Sequence, residues 1–189
     1  MNRERESLQH RPFLTPIWLS AIGAFVALSL AVFAVWNWGT ANSTTVIVIR
    51  HAEKESGSAV DPRLSAAGEA RAALLAGMFG VSQGPGRLDA IYVSPTARSQ
   101  STAAPLAARL GLTPTVASAD DAQGLAKRAL REHSGGRVLV IGHVNTVPKI
   151  VASLSGRNDI PEIDEHDFGI MYIVTVPRIG HANVLRLNY

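Results

Sequence analysis

The spacing of apolar and polar positions divides the chain into two unequal parts. Between Arg11 and Arg50 no residue is charged, and within that gap Ile17 to Trp38 is almost entirely apolar on every side of a helix. Residues 17–38, at about 1.5 Å each, would form a helix of roughly 33 Å, enough to cross a bilayer core. Beyond it the pattern changes. Thr44–Ile49 is a β-branched, apolar run suited to a strand covered on both faces. Leu64–Phe79 reads as a helix with Ser65 as its N-cap, and Gly84-Pro85-Gly86 as a turn. Asp89–Ser94 is a second buried strand. Ala97–Leu110 reads as a helix closed by Gly111 and kinked or split at Pro105. A short strand at Thr115-Val116 follows, then a helix over Asp121–His133 and a strand over Arg137–Ile141. Thr146–Leu154 is helical, with Asn145 as N-cap and Pro148 in the first turn. Gly169–Val176 and Asn183–Leu187 are strands that end the chain.

Alternation of strand and helix implies an α/β domain over residues 44–189, with a mostly parallel sheet and helices on both of its faces. The closing strand pair would add an antiparallel edge. The domain is one ordinary unit in size.

The flanks of the apolar segment suggest an orientation. Trp18 lies near one end, and Trp36 and Trp38 at the other, as interfacial anchors would. Arg3, Arg5 and Arg11 all precede it, and Gly39 to Ile49 carry no charge. The bias of positive charge places residues 1–16 in the cytoplasm as a tail, 17–38 across the inner or plasma membrane, and 39–43 as a linker. The domain would then be extracytoplasmic, in the periplasm of a Gram-negative bacterium. The competing expectation is export after signal-peptide cleavage, with a small-x-small site at Gly39-Thr40-Ala41. The apolar run is longer than the usual signal core of about 7–15 residues. Neither disulfides nor thiolate metal sites can form, because the chain has no Cys, and its net charge of +3 is spread without a basic stripe for nucleic acid.

Three strands end in polar segments. These are Arg50-His51-Ala52-Glu53-Lys54, Ser94 through Ala103, and Gly142-His143-Val144-Asn145-Thr146. In a sheet of this kind the ligand crevice lies at the carboxyl ends of the strands. Two His and two Arg would meet there, with helix N-termini behind them. Guanidinium forks match phosphate oxygens, and helix N-termini add free N–H groups. Cationic surroundings keep an imidazole neutral, and a neutral imidazole can attack phosphorus.

Arg50-His51-x-Glu53, Ser94-Pro95-x-x-Arg98-x-x-x-Thr102-Ala103 and Gly142-His143 together resemble the histidine phosphatase superfamily, the phosphoglycerate mutase-like proteins of branch 1. Asp61-Pro62-x-Leu64-Ser65-x-x-Gly68 is similar to that family's second block. The resemblance covers Val46 to Tyr189. It implies a three-layer α/β/α sandwich and phosphoryl transfer through a phosphohistidine, without cofactor or metal. By motif, His51 is the nucleophile, Arg50 and Arg98 are phosphate ligands, and His143 is the second histidine, catalytic and phosphate-binding. The sequence departs from the family at Ala52, where Gly is frequent, at Gly57, where Asn is common, and at Ser101, where Gln is common. Members often carry an acidic residue after the second-motif helix. Here the candidates for a general acid are Asp120, Asp121 and Glu53, with Asp121 also a natural helix cap. The implied partner is a phosphorylated small molecule or phosphoprotein, and the lack of long insertions implies an open site, suited to a phosphatase more than to a mutase. A phospho-ligand binder with little catalysis is the alternative from another class. The acidic segment Glu162–Asp167 reads as a solvated loop rather than a metal site. His10, His133 and His181 read as surface residues, and Ser94 has no nucleophile elbow around it.

Overall fold

The computed structural model describes residues 17–57, 60–80, 84, 86–118 and 120–189. The expected tail at 1–16, with Arg3, Arg5, His10 and Arg11, lies outside the described residues, as does Pro85 of the expected turn. The chain forms two units, Met1–Trp38 and Gly39–Tyr189.

The first unit holds most of a helix, α1, over Ile17–Ala41. By length and composition α1 can cross a membrane, and a signal sequence would share both properties. The side chains of residues 18–38 are exposed all round, Phe25 by 71%. Such a surface favours apolar surroundings over water. The helix persists through Ala41, so only Asn42 and Ser43 of the expected linker separate it from the first strand.

The second unit is an α/β/α sandwich. Its strands are β1 (Thr44–Arg50), β2 (Ala90–Val93), β3 (Thr115–Val116), β4 (Arg137–Gly142), β5 (Ile170–Val176) and β6 (Asn183–Asn188). They form one sheet in the order β3-β2-β4-β1-β5-β6. Pairings among β1 to β4 are parallel, and β5 and β6 add the antiparallel edge. The helices are α2 (Ala66–Phe79), α3 (Ala97–Leu110), α4 (Ala122–Glu132) and α5 (Val147–Ser155).

Alternation along the strands builds two cores. Val46, Val48, Val138 and Val140 pack with Leu125 of α4 and Ile150 of α5. Ile47, Ile49, Leu139 and Ile141 face the other way, onto Leu75 of α2 and Leu106 of α3. Each such side chain, fully buried, stabilises the fold by about 1.5–3 kcal/mol.

Two helix expectations need correction. α3 is not split at Pro105. Pro105 and Ser101, whose carbonyl loses its helical partner, both lie on the exposed face, where water can serve that carbonyl. The N-cap of α5 is Thr146 rather than Asn145. A tight turn brings Thr146 Oγ1 back to accept from the His143 N–H at 2.9 Å, and this leaves Asn145 exposed. By contrast Ser65 caps α2 as expected, its Oγ accepting from Gly68 N at 3.2 Å.

Candidate active site

β1 runs from the Gly39 end of the domain to a cavity of about 970 Å³ at its carboxyl end. Arg50 and His51 emerge there. The adjacent ends of β2 and β4 deliver Ser94 and His143, and the start of α3 delivers Arg98. The three polar segments marked in the sequence thus converge, because β2, β4 and β1 are neighbouring parallel strands of one sheet.

His51 is 4% exposed. Its Nδ1 lies 2.8 Å from the Ala52 carbonyl oxygen. A carbonyl only accepts, so Nδ1 carries the proton. Nε2 is then the basic nitrogen, and it accepts from Arg98 Nε at 3.2 Å. Burial, opposed by the bond to Ala52 and assisted by His143, Arg98 and Arg50, lowers the His51 pKa from 6.5 to about 4. The ring is neutral at pH 7, with its lone pair on Nε2. The two histidine rings are 5.2 Å apart, centre to centre. His143 is also shifted down, by burial first and then by Arg98 and Arg50. Its Nε2 is 2.9 Å from Ser94 Oγ.

Arg50 is 5% exposed. Its Nη1 donates to the backbone carbonyls of Asp164 and Glu165 at 3.1 and 2.6 Å. Its guanidinium lies 3.9 Å from the Phe168 ring centre. Its buried Nε has no hydrogen-bond partner among the described residues. An unpaired buried donor is costly, and an oxyanion in the cavity would satisfy it.

Several contributors escaped the sequence reading. Asp61 Oδ1 accepts from Arg98 Nη1 at 3.2 Å, and its Oδ2 accepts from Ala97 N at 2.7 Å. One carboxylate thereby aims the arginine and caps α3, whose own N-cap residue Thr96 makes no side-chain cap bond. Thr102 Oγ1 accepts from Ala52 N at 3.0 Å and donates to the Arg98 carbonyl at 2.7 Å, tying the histidine loop to α3. The acidic loop is solvated at its side chains, yet its carbonyls hold Arg50. Backbone acceptors leave no signature in residue type. His133 is half-buried against Tyr92 rather than on the surface, because it closes α4 over that ring, whereas His181 is exposed.

The three candidate acids separate clearly. Glu53 makes a bidentate ion pair with Arg71, Oε1 to Nη2 at 2.7 Å. That bond holds its pKa below the usual carboxylate range, so it is a poor proton donor. Asp121 caps α4, Oδ1 accepting from Gly124 N at 2.7 Å. Neither lines the cavity, and Asp120 does. Among the described residues no cluster of three or more His, Cys, Asp or Glu could hold a metal.

The model of the histidine phosphatase superfamily (branch 1) matches residues 46–120. That stretch contains His51, Arg98 and Asp61. This is the histidine phosphatase fold. A search of curated proteins gave no match. Among solved structures, the protein histidine phosphatase SixA complexed with tungstate is 19% identical, with 76% of this chain and 96% of that one covered at a TM-score of 0.61. The native mycobacterial glucosyl-3-phosphoglycerate phosphatase is 13% identical, with 77% and 99% covered at 0.62. Its complex with VO3 is 14% identical, with 77% and 98% covered at 0.58. At such identities these structures speak to the fold.

Proposed function

We propose that the protein is a phosphatase that hydrolyses phosphate monoesters or phosphoramidates through a phosphohistidine on His51. The single observation that carries this reading is the state of His51. It is a buried neutral imidazole whose Nδ1 proton is committed to Ala52, which leaves Nε2 basic beside Arg98 and Arg50.

In the proposed reaction the phosphoryl group takes up donors from Arg50 Nε, Arg98 and His143. His51 Nε2 attacks phosphorus and the P–O or P–N bond to the leaving group breaks. Asp120, the one of the three candidate acids that lines the cavity, protonates that leaving group. Water then attacks phosphorus and gives a proton back to the Asp120 carboxylate, the Nε2–P bond breaks, and phosphate leaves with the neutral imidazole restored. The arginines and His143 stabilise charge on the equatorial oxygens. That the similar structures include one holding tungstate and one holding VO3, both oxyanions, supports the phosphoryl assignment. The site lies open among loops, which exposes a phosphoenzyme to water and favours hydrolysis over mutase chemistry.

We further propose that α1 is a retained anchor and that the domain faces away from the cytoplasm. The length of α1 and the charge asymmetry of its flanks support this.

Rapid quenching into alkaline SDS with a 32P-labelled substrate tests the mechanism. Wild-type protein should yield an acid-labile, base-stable phosphoenzyme, and His51→Ala should yield none while losing more than about a thousandfold in kcat. A His51→Ala variant with more than about a tenth of wild-type rate would rule out covalent catalysis at this residue.

A further inference from the structure

A second concavity, of about 560 Å³, lies between α5 and the segment 158–165. It shares Val144, Asn145 and Glu165 with the catalytic cavity, so the two are adjoining chambers of one depression. Pro148, Ala152 and Ile160 give it apolar, half-buried walls. Both walls are tied to the reaction centre. α5 begins four residues after His143. The Glu165 carbonyl, on the opposite side, accepts from Arg50 Nη1 at 2.6 Å.

We infer that this groove holds the residues flanking the phosphorylated side chain of a polypeptide substrate, beyond the reach of a small leaving group at the reaction centre. The inference rests on the phosphatase reading above. A phosphoryl group held by Arg50 and His143 has its leaving group beside Val144 and Asn145, where the groove opens. Glu162 and Glu165 line it, and their charge disfavours a nucleotide or another polyanion. Among the described residues no aromatic ring lines it to stack a base. The exposed Lys149, Glu162 and Asn158 on its rim are poorly suited to an acyl chain. A peptide suits all three features. Its amides pair with Asn145 and Asn158, its apolar side chains meet Pro148, Ala152 and Ile160, and the rim offers charges of both signs.

The test uses full-length protein in detergent micelles. The probes are p-nitrophenyl phosphate and synthetic peptides with phosphoserine, phosphothreonine or phosphohistidine flanked by valine and leucine. Wild type should turn over at least one peptide with kcat/KM about tenfold above that of the aryl phosphate, the scale of a few apolar contacts. Ala152→Trp, which fills the groove from α5, should remove that advantage and leave the aryl phosphate within about twofold. Ile160→Trp, from the opposite wall, should act alike, so a folding failure in one variant does not decide the matter. Equal losses on both substrates in a variant that melts like wild type, or no loss on either, would overturn the subsite. So would a wild type that shows no preference for any peptide. A wild type that hydrolyses neither class would instead overturn the phosphatase reading itself.

Discussion

His51 carries its own pH signature. Its pKa is about 4 in the fold, against an ordinary 6.5. Acid therefore does not protonate the nucleophile until near pH 4, and the acid limb of kcat/KM should fall there rather than near 6.5. Stability follows the same ring. The unfolded chain takes up a proton below its ordinary pKa and the folded ring resists, so this contribution is fully present above pH 6.5. It is lost progressively as pH falls to about 4, on the order of 3 kcal/mol in all. Urea midpoints measured between pH 7 and 4 should drop accordingly, and His51→Phe should flatten the drop. Asp61 gives a second residue-level prediction. Asp61→Asn removes the charge that aims Arg98, and kcat/KM should fall about tenfold, the worth of a charge-assisted hydrogen bond of about 1.5 kcal/mol. Unchanged kinetics with a lowered melting temperature would leave Asp61 as a cap for α3 alone.

At the scale of elements, the site depends on how closely α2 approaches the loop after β1. Glu53 O accepts from Ser65 N at 3.0 Å. A Cβ placed on Gly68 would lie 2.1 Å from that same oxygen. The glycine of the Leu64-Ser65-x-x-Gly68 block is thus required by backbone contact rather than by an unusual φ. Gly68→Ala should push α2 off the histidine loop. It should cost about 1–3 kcal/mol, as overpacking does, and lower kcat as well, because Glu53 and Ala52 flank His51 in that loop. Thermal melts with steady-state kinetics check both, and a variant as stable and as active as wild type would show that α2 can withdraw freely.

For the whole molecule the open question is which side of a membrane the domain occupies. Charge asymmetry about α1 predicts export of everything after Ser43. An export-dependent reporter fused after Tyr189 should be active, and a cytoplasm-dependent reporter at the same point inactive. The opposite pair of results would place the domain in the cytoplasm. An extracytoplasmic domain would meet only extracytoplasmic phosphorylated substrates, so the peptide-binding reading of the groove then points to exported phosphoproteins.

Much of this architecture is written in one dimension. Runs such as Val46–Ile49 and Val138–Ile141 determine strands buried on both faces, because a continuous apolar run has no polar face to offer water and needs cover on each side of the sheet. The apolar stretch 17–38 determines a helix that excludes charge. Arg50, His51, Arg98 and His143 are legible because each sits where a strand yields to a polar turn or a helix start. Tertiary structure decided what depends on distant partners. Asp61 lies 37 residues from Arg98, and nothing local marks it as that residue's acceptor. Glu53 stands two places from the nucleophile, yet Arg71 withdraws it from the chemistry. The loop that grips Arg50 does so with backbone carbonyls, which every residue carries. The groove beside the site arises only where α5 meets segment 158–165. Periodicity reports which face a residue presents to the core, and pairings across the chain follow only once the layers are packed.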